Sequence, residues 1–264
     1  EYCANCVSDK CSYRRRNITT YISYYARNNC KEQRGNHHPK NCLYIFHLFS
    51  FHFVGILFYT NGQRLIFEVI MCGRFVLSNF IEVKDFHNVL IEPSYNIAPS
   101  HCTLIFNQEM SPDFLEWGYS PNWAKKPMNL INAKYESLDI KPSFRDYETC
   151  VFVADGWFEW KKTSTGKKQP IFIHADQIIF YFAGIRNASG AAIVTIDAHP
   201  SLSNIHHRQP MLLDQKETSY WLKNKQKISS SNLLEKVKCH PVSKYVNSPI
   251  NNDQRCILKT EIEQ

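Results

Sequence analysis

The sequence predicts an α+β domain over residues 71–264, built on a curved, barrel-like, mostly antiparallel sheet with flanking helices. Short runs rich in β-branched and aromatic residues recur from Thr103 to Leu213, each bounded by Pro, Gly, Asn or Asp. Segments of helical period also occur, but they do not alternate strictly with those runs, as a parallel βαβ arrangement would require. Composition changes near Met71. Residues 1–70 hold five of the ten cysteines, none of the five tryptophans and only one of the twelve prolines, which marks a boundary there.

The elements follow in chain order. "CGRFVL" after Met71 reads as a short strand, and Ser78 as the cap of a helix to about Leu90 with Phe80, Val83, Phe86 and Leu90 on one face. "EPSYNIAPS" reads as a loop. Strands are expected at Thr103–Phe106, Phe114–Trp117, Cys150–Ala154, Pro170–His174, Ile178–Phe182, Ala191–Ile196 and Gln209–Leu213. Helices are expected at Ala133–Lys141, at Asp214–Asn224, where Asp214 and Glu217 have the spacing of a capping box, and at Ser230–Val237. There is no Gly-rich phosphate loop and no internal repeat.

Residues 1–70 read as a leader, upstream sequence that is translated in frame or removed, and stand outside the fold. Cys3, Cys6 and Cys11 with His37 and His38 lack the second well-spaced pair of a structural zinc site. The apolar run 43–60 is interrupted by His47, Ser50 and His52 and fits neither a signal peptide nor a membrane span. The leader carries nine Lys/Arg against four Asp/Glu, so most of the net charge of +7 belongs to it. A nucleic-acid partner therefore cannot be argued from global charge and needs a local basic site.

Met71 is the first methionine, and Cys72 follows it at once. If the chain began at Met71 and that residue were trimmed, Cys72 would present an α-amine and a thiol together; inside a longer chain it is only a thiol. Three further segments carry polar groups that a core does not need. "NLINAKYES" places Asn132, Lys134 and Glu136 within five residues, "ADGWFEWKK" sets Glu159 between aromatics, and "NIHHRQPMLL" puts His206, His207 and Arg208 before an apolar run. Singly, each has a plain alternative: Glu159 as the solvent-facing residue of a strand, His206 as a satisfied core histidine, Asn132 as a helix cap.

Taken with "MCGRF", "YNIAPS", "WGYSPNWAKKP", "KKQPIFI" and "HPVS", in the family's order, these blocks make residues 71–250 similar to the SOS-response-associated peptidase family of abasic-site processing proteins, bacterial type. The resemblance implies shedding of the initiator methionine and covalent capture of abasic sites in single-stranded DNA as a thiazolidine on Cys72. The chemistry is consistent: the amine attacks the ring-opened sugar aldehyde to give an imine, and the neighbouring thiol closes a five-membered ring. The resemblance further implies Glu159 as a proton shuttle, its flanking aromatics raising its pKa. His206 is implied to assist opening of the deoxyribose, and Asn132 to hydrogen-bond near the Cys72 amine. Arg74, Lys134 and Arg208 are implied to hold phosphates. Trp123, Trp160 and Pro99 are implied to stack on or wedge against bases, and Thr195 to lie along the DNA.

Three positions depart from the family pattern. Lys134 stands where arginine is usual and loses the bidentate fork. Gln209 replaces a more usual Met or Arg, and His207 sits where many relatives have aspartate or histidine, so that His206 is chosen over it by register alone. Two rival functions stay open: a cysteine peptidase with Cys72 as nucleophile and His206 as base, acting on its own leader, and a single-strand DNA-binding module without covalent chemistry. No cofactor, metal or membrane partner is expected, and a monomer is. The five cysteines of residues 71–264 are scattered singly, which with a reactive thiol points to a cytoplasmic, nucleoid-associated protein.

Overall fold

A computed structural model of the chain describes residues 59–60, 63–64, 72–78, 92–175, 179–227 and 233–261. The chain forms two compact units, Glu1–Phe67 and Glu68–Gln264. In the first, β1 (Tyr59–Thr60) pairs antiparallel with β2 (Gln63–Arg64). The zinc-like cysteines, and the apolar run 43–60 apart from that strand, lie outside the described residues, as does the helix expected after Ser78.

The second unit holds two sheets. One runs in the order β15 (Lys238–Pro241), β10 (Lys168–His174), β9 (Gly156–Lys162), β3 (Phe75–Leu77), β4 (Ser94–Ile97), antiparallel throughout. The other follows β13 (Arg208–Pro210), β12 (Gly190–Asp197), β11 (Phe180–Asn187), β8 (Glu148–Ala154), β5 (Cys102–Phe106), β6 (Pro112–Glu116). β14 (Leu212–Leu213) pairs with β11, and β7 (Asn132–Lys134) lies parallel to β12. The expected α+β class with curled, mostly antiparallel sheets is what the chain adopts.

Alternation along β3 and β9 explains how the sheets pack. Phe75 and Trp157 face the second sheet, where Phe75 meets Phe152 and Phe182 edge-on and Trp157 meets Phe180 and Phe182 with ring centroids 5.9 Å apart. Val76 and Phe158 point the other way, into a smaller core with Phe172, Val242, Val246 and Cys256. The first sheet is thus buried on both faces, and an alternating pattern there does not mean one wet side.

Three expectations are corrected. "EPSYNIAPS", read as a loop, contains β4 (Ser94–Ile97), whose backbone pairs with β3. The helix expected at Ala133–Lys141 is instead β7 followed by 3₁₀ turns at Tyr135–Ser137 and Pro142–Phe144. Ile131, Tyr135 and Leu138 have helical spacing, but pairing of Asn132–Lys134 with Ile193–Thr195 satisfies the backbone and buries Ala133. The run Gln209–Leu213 is broken at Met211, whose N–H donates to the Val194 carbonyl while its own carbonyl accepts from Ala183. The helix expected at Asp214–Asn224 forms as α1 (Gln215–Asn224), with the reciprocal Asp214–Glu217 capping box and a left-handed Lys225 at its end. Of the segment Ser230–Val237, Leu233–Lys236 is a 3₁₀ turn.

Gly156 opens β9 where Phe172 crosses it. A Cβ there would lie 2.4 Å from the Phe172 ring and 2.9 Å from the Ile173 carbonyl. Gly156→Ala is expected to cost about 1–3 kcal/mol through overpacking and to lower the melting temperature by roughly 2–10 °C, read in a thermal melt.

Candidate functional site

β3 and β9 pair through Phe75 opposite Trp157, with a further bond from the Phe158 N–H to the Arg74 carbonyl. This pairing brings the chain just ahead of β3 alongside Glu159. The backbone N–H of Cys72 donates to Glu159 Oε1 at 3.1 Å, across 87 positions of sequence. Both side chains are buried, Cys72 fully and Glu159 with 3% of its surface exposed. The reading of Glu159 as a solvent-facing strand residue is overturned, because it shares the face of Trp157, which packs on the second sheet.

Burial pushes the Glu159 carboxyl up to about 8, against the smaller opposing pull of the Cys72 N–H. Burial, then the Glu159 charge, raises the Cys72 thiol well above its usual range. The Cys72 backbone has φ of 38°, in the left-handed region.

A brace from the C-terminal segment holds both strands. Arg74 donates to Asn96 Oδ1 at 3.1 Å, to the Val246 carbonyl at 2.9 Å and to the Asn247 carbonyl at 3.3 Å. Burial lowers its pKa to about 10, with Cys256 acting in the opposite direction. Trp160, next to Glu159, donates its indole N–H to Asn247 Oδ1 at 2.7 Å. Asn96 is buried and donates to the Val246, Ser248 and Asn251 carbonyls. Sequence reasoning missed Asn96 and Asn247 as parts of the site; their partners lie up to 173 residues away, and only the "YNIAPS" block hinted at the first.

A second set gathers on the other sheet. Asn132 and Lys134 on β7 stand in register with Ile193 and Thr195 of β12, and Thr195 is opposite Pro210 of β13. Lys134 is exposed, Asn132 half-buried. Thr195 is fully buried, and its hydroxyl has no hydrogen-bond partner among the described residues. Arg208, 5% exposed, donates to the Thr195 carbonyl, to both Glu136 carboxylate oxygens and to Asp197. His206 Nδ1 lies 3.1 Å from the Arg208 backbone nitrogen and 3.2 Å from the Arg208 carbonyl oxygen, to which the protonated ring donates, and its ring lies 4.4 Å from that of His207. Burial lowers the His206 pKa, the Arg208 backbone bond opposes this, and the charges of His207 and Lys168 lower it further. Among the described residues no hydrogen bond joins His206 to Cys72 or Glu159.

Two sequence-predicted residues stand at the edges of these sets. Pro99 is half-buried and follows β4, before Ser100 donates its N–H to the Trp117 carbonyl. Trp123 is 59% exposed, with its indole N–H 3.3 Å from the Pro142 carbonyl. Among the described cysteines, Cys72, Cys150, Cys239 and Cys256 are free and Cys102 is disulfide-bonded, which corrects the reading that all five stand singly. No helix of the described residues is long and apolar enough to cross a membrane.

The chain is similar to known proteins. Residues 71–249 match the profile of the family described as SOS response associated peptidase (SRAP). The chain is 32% identical over 221 residues to the abasic site processing protein YoqW of Bacillus subtilis, covering 71% of this chain and 99% of that one. It is 31% identical over 209 residues to the abasic site processing protein YedK of Escherichia coli, covering 69% and 92%. Mouse abasic site processing protein HMCES is 25% identical over 232 residues, covering 64% and 66%. A crystal structure of a protein from Bacteroides thetaiotaomicron shares the fold at a TM-score of 0.53 and 22% identity, covering 72% of this chain and 93% of that one. One of a phage-related protein from Bordetella bronchiseptica does so at 0.53 and 26%, covering 65% and 94%.

Proposed function

Because the chain belongs to the SOS response associated peptidase (SRAP) family, we propose that it processes abasic sites in single-stranded DNA by covalent capture on Cys72. The observation that carries this is the Cys72 nitrogen held 3.1 Å from the buried Glu159 carboxyl. Once residue 72 is a free N-terminus, its nitrogen becomes an α-amine with an unperturbed pKa of about 8. The partner carboxyl sits at about 8. A buried carboxyl raised in this way keeps its proton near neutral pH and lies within reach of the nitrogen, which suits general acid–base work.

The amine nitrogen adds to the aldehyde carbon of the ring-opened sugar, and the carbinol oxygen leaves as water on receiving a proton from Glu159. The thiol sulfur then adds to the imine carbon, its proton going to the ring nitrogen, and a thiazolidine results. His206 assists opening of the deoxyribose and Asn132 orients the sugar. Lys134, Arg74 and Arg208 face the phosphates, with Arg208 exchanging its exposed partner Glu136 for one. Trp123, Trp160 and Pro99 support the bases, Thr195 lines the strand, and the chain acts as a monomer, since one chain supplies every group. The free thiols of Cys72, Cys150, Cys239 and Cys256 favour a reducing compartment such as the cytoplasm, while the bonded Cys102 weighs against it.

The peptidase alternative draws less support: among the described residues no hydrogen bond joins His206 to Cys72, so the thiol lacks the general base that acyl transfer needs. Retained binding without covalent chemistry is the outcome if Cys72 stays peptide-bonded, because an amide nitrogen does not attack an aldehyde.

The test compares the full chain with a chain expressed from Met71 under conditions that trim methionine, each mixed with an abasic oligonucleotide and run on a denaturing gel. The trimmed protein, verified by intact mass to begin at Cys72, is expected to shift the oligonucleotide, and the full chain to leave it unshifted. An adduct on the full chain with its leader still attached would replace the aminothiol with a lysine or plain thiol.

A further inference from the structure

His206 stands near the end of a loop, so its place depends on what holds that loop. β12 and β13 pair through Thr195 with Pro210, Ile196 with Gln209 and Asp197 with Arg208, and residues 198–207 connect them. The Ala198 N–H donates to the His207 carbonyl at 3.0 Å and closes the neck. Beyond the neck Leu202 is buried in the main core, with Ile205 packed against that core. His199, Pro200, Ser201, Ser203 and Asn204 are exposed, which leaves the shape of the loop to its hydrogen bonds.

Those bonds run in series from one side chain. Gln209, 2% exposed on β13, accepts the His199 N–H on Oε1 at 2.8 Å. The His199 carbonyl accepts from Leu202 at 2.8 Å and from Ser203 at 3.0 Å. The Leu202 carbonyl then accepts from Ile205 at 2.9 Å and from His206 at 3.2 Å. The His206 ring returns to β13 through Nδ1, beside the Arg208 backbone, so the series begins and ends on adjacent residues of one strand. Gln209 is itself fixed, opposite Ile196 in the ladder and with its amide nitrogen 3.4 Å from the Pro210 carbonyl. For the fold alone an apolar side chain of that size would serve at so buried a strand position. What the amide adds is its grip on the backbone of His199.

We propose that Gln209 is a positioning residue for His206, acting through His199 and Leu202 to hold the imidazole where it meets the closed deoxyribose. The inference rests on the covalent-capture reading and on the part that His206 plays in it. With Nδ1–H donating to the Arg208 carbonyl, Nε2 is left to take the proton of the anomeric hydroxyl. The imidazolium so formed gives that proton to the ring oxygen as the C1′–O4′ bond breaks, the aldehyde forms and the histidine returns to its starting state. Both transfers need the ring held in one orientation, and a misplacement of about 1 Å costs such a group as much as roughly 10²-fold in rate.

The experiment uses protein expressed from Met71 and trimmed, and compares two aldehydes: an abasic oligonucleotide, whose sugar must be opened, and propanal, which has no ring to open. Adducts are followed on a denaturing gel and by intact mass. Gln209→Leu is expected to slow capture of the oligonucleotide by about tenfold and to leave the propanal rate within about twofold of the wild type. Gln209→Glu keeps an accepting oxygen and should recover most of the lost rate. In a His206→Gln background the leucine change should add nothing, because the two act as one unit. An unchanged oligonucleotide rate in Gln209→Leu, equal slowing with both aldehydes, or the full tenfold loss in the His206→Gln background would overturn the positioning role. A trimmed wild type that captures neither aldehyde would remove the covalent-capture reading, and an undiminished rate in His206→Gln alone would remove the part given to His206; either takes this inference with it.

Discussion

Replacing Glu159 by glutamine is expected to slow adduct formation by about 10²-fold, the scale of general acid–base catalysis, and to flatten its dependence on pH. Glutamine keeps the shape and an oxygen that can still accept from the Cys72 nitrogen, so binding of the strand is expected to survive. The substitution also has a signed effect on stability. In the full chain the folded carboxyl titrates at about 8, against 4.5 in its ordinary environment. Between those values the folded state holds a proton that the unfolded state has released, so the wild type loses stability as pH rises from about 4.5 to about 8 and levels off above. Glutamine has no such proton. Melting curves should show the variant gaining on the wild type across that window, and a constant gap at all pH values would mean that Glu159 is not the buried acid described here.

Cys72→Ala and Cys72→Ser are both expected to abolish the adduct that survives denaturation, in protein expressed from Met71 and trimmed. The two differ from a simple knockout in what they leave behind. Each keeps the α-amine beside Glu159, so each can form the imine but lacks the sulfur that closes the ring. Borohydride should trap that imine as a reduced, stable link in both variants, and only in the trimmed protein. A denaturation-stable adduct on the alanine variant without reductant would exclude thiazolidine chemistry.

How much of the fold is legible in the sequence depends on the range of the interactions. Helix α1 is readable because its signal is local, with Asp214 and Glu217 satisfying each other's backbone groups three residues apart. The apolar strands of the second sheet are readable from β-branched runs. β4 and β15, "SYNI" and "KCHP", are not: the N–H groups of Tyr95 and Asn96 are tied by Asn252, more than 150 residues away. The segment after Asn132 misleads because Ile131, Tyr135 and Leu138 repeat at helical spacing, while the strand partner that wins lies on β12.

For the site, the residue types come from a resemblance of motifs, and their assembly does not. Alternation correctly puts Glu159 and Trp157 on one side of β9 but cannot say that this side is dry, because a second core covers the opposite side as well. The partners of Arg208 are half-visible in "NAKYES", which contains Glu136, yet an ion pair spanning 72 residues has no periodicity to betray it.

At Cys72 the backbone φ of 38° is unfavourable for a residue with a side chain, by roughly 1–2 kcal/mol, because the preceding carbonyl and the Cβ crowd each other. That angle is defined only when a residue comes before. At a first residue there is no preceding carbonyl to collide with, and the same placement of amine, thiol and main chain is an ordinary rotation about one bond. On the function proposed above, a chain that began at Cys72 would be free of that tension at the point where its amine is exposed beside Glu159.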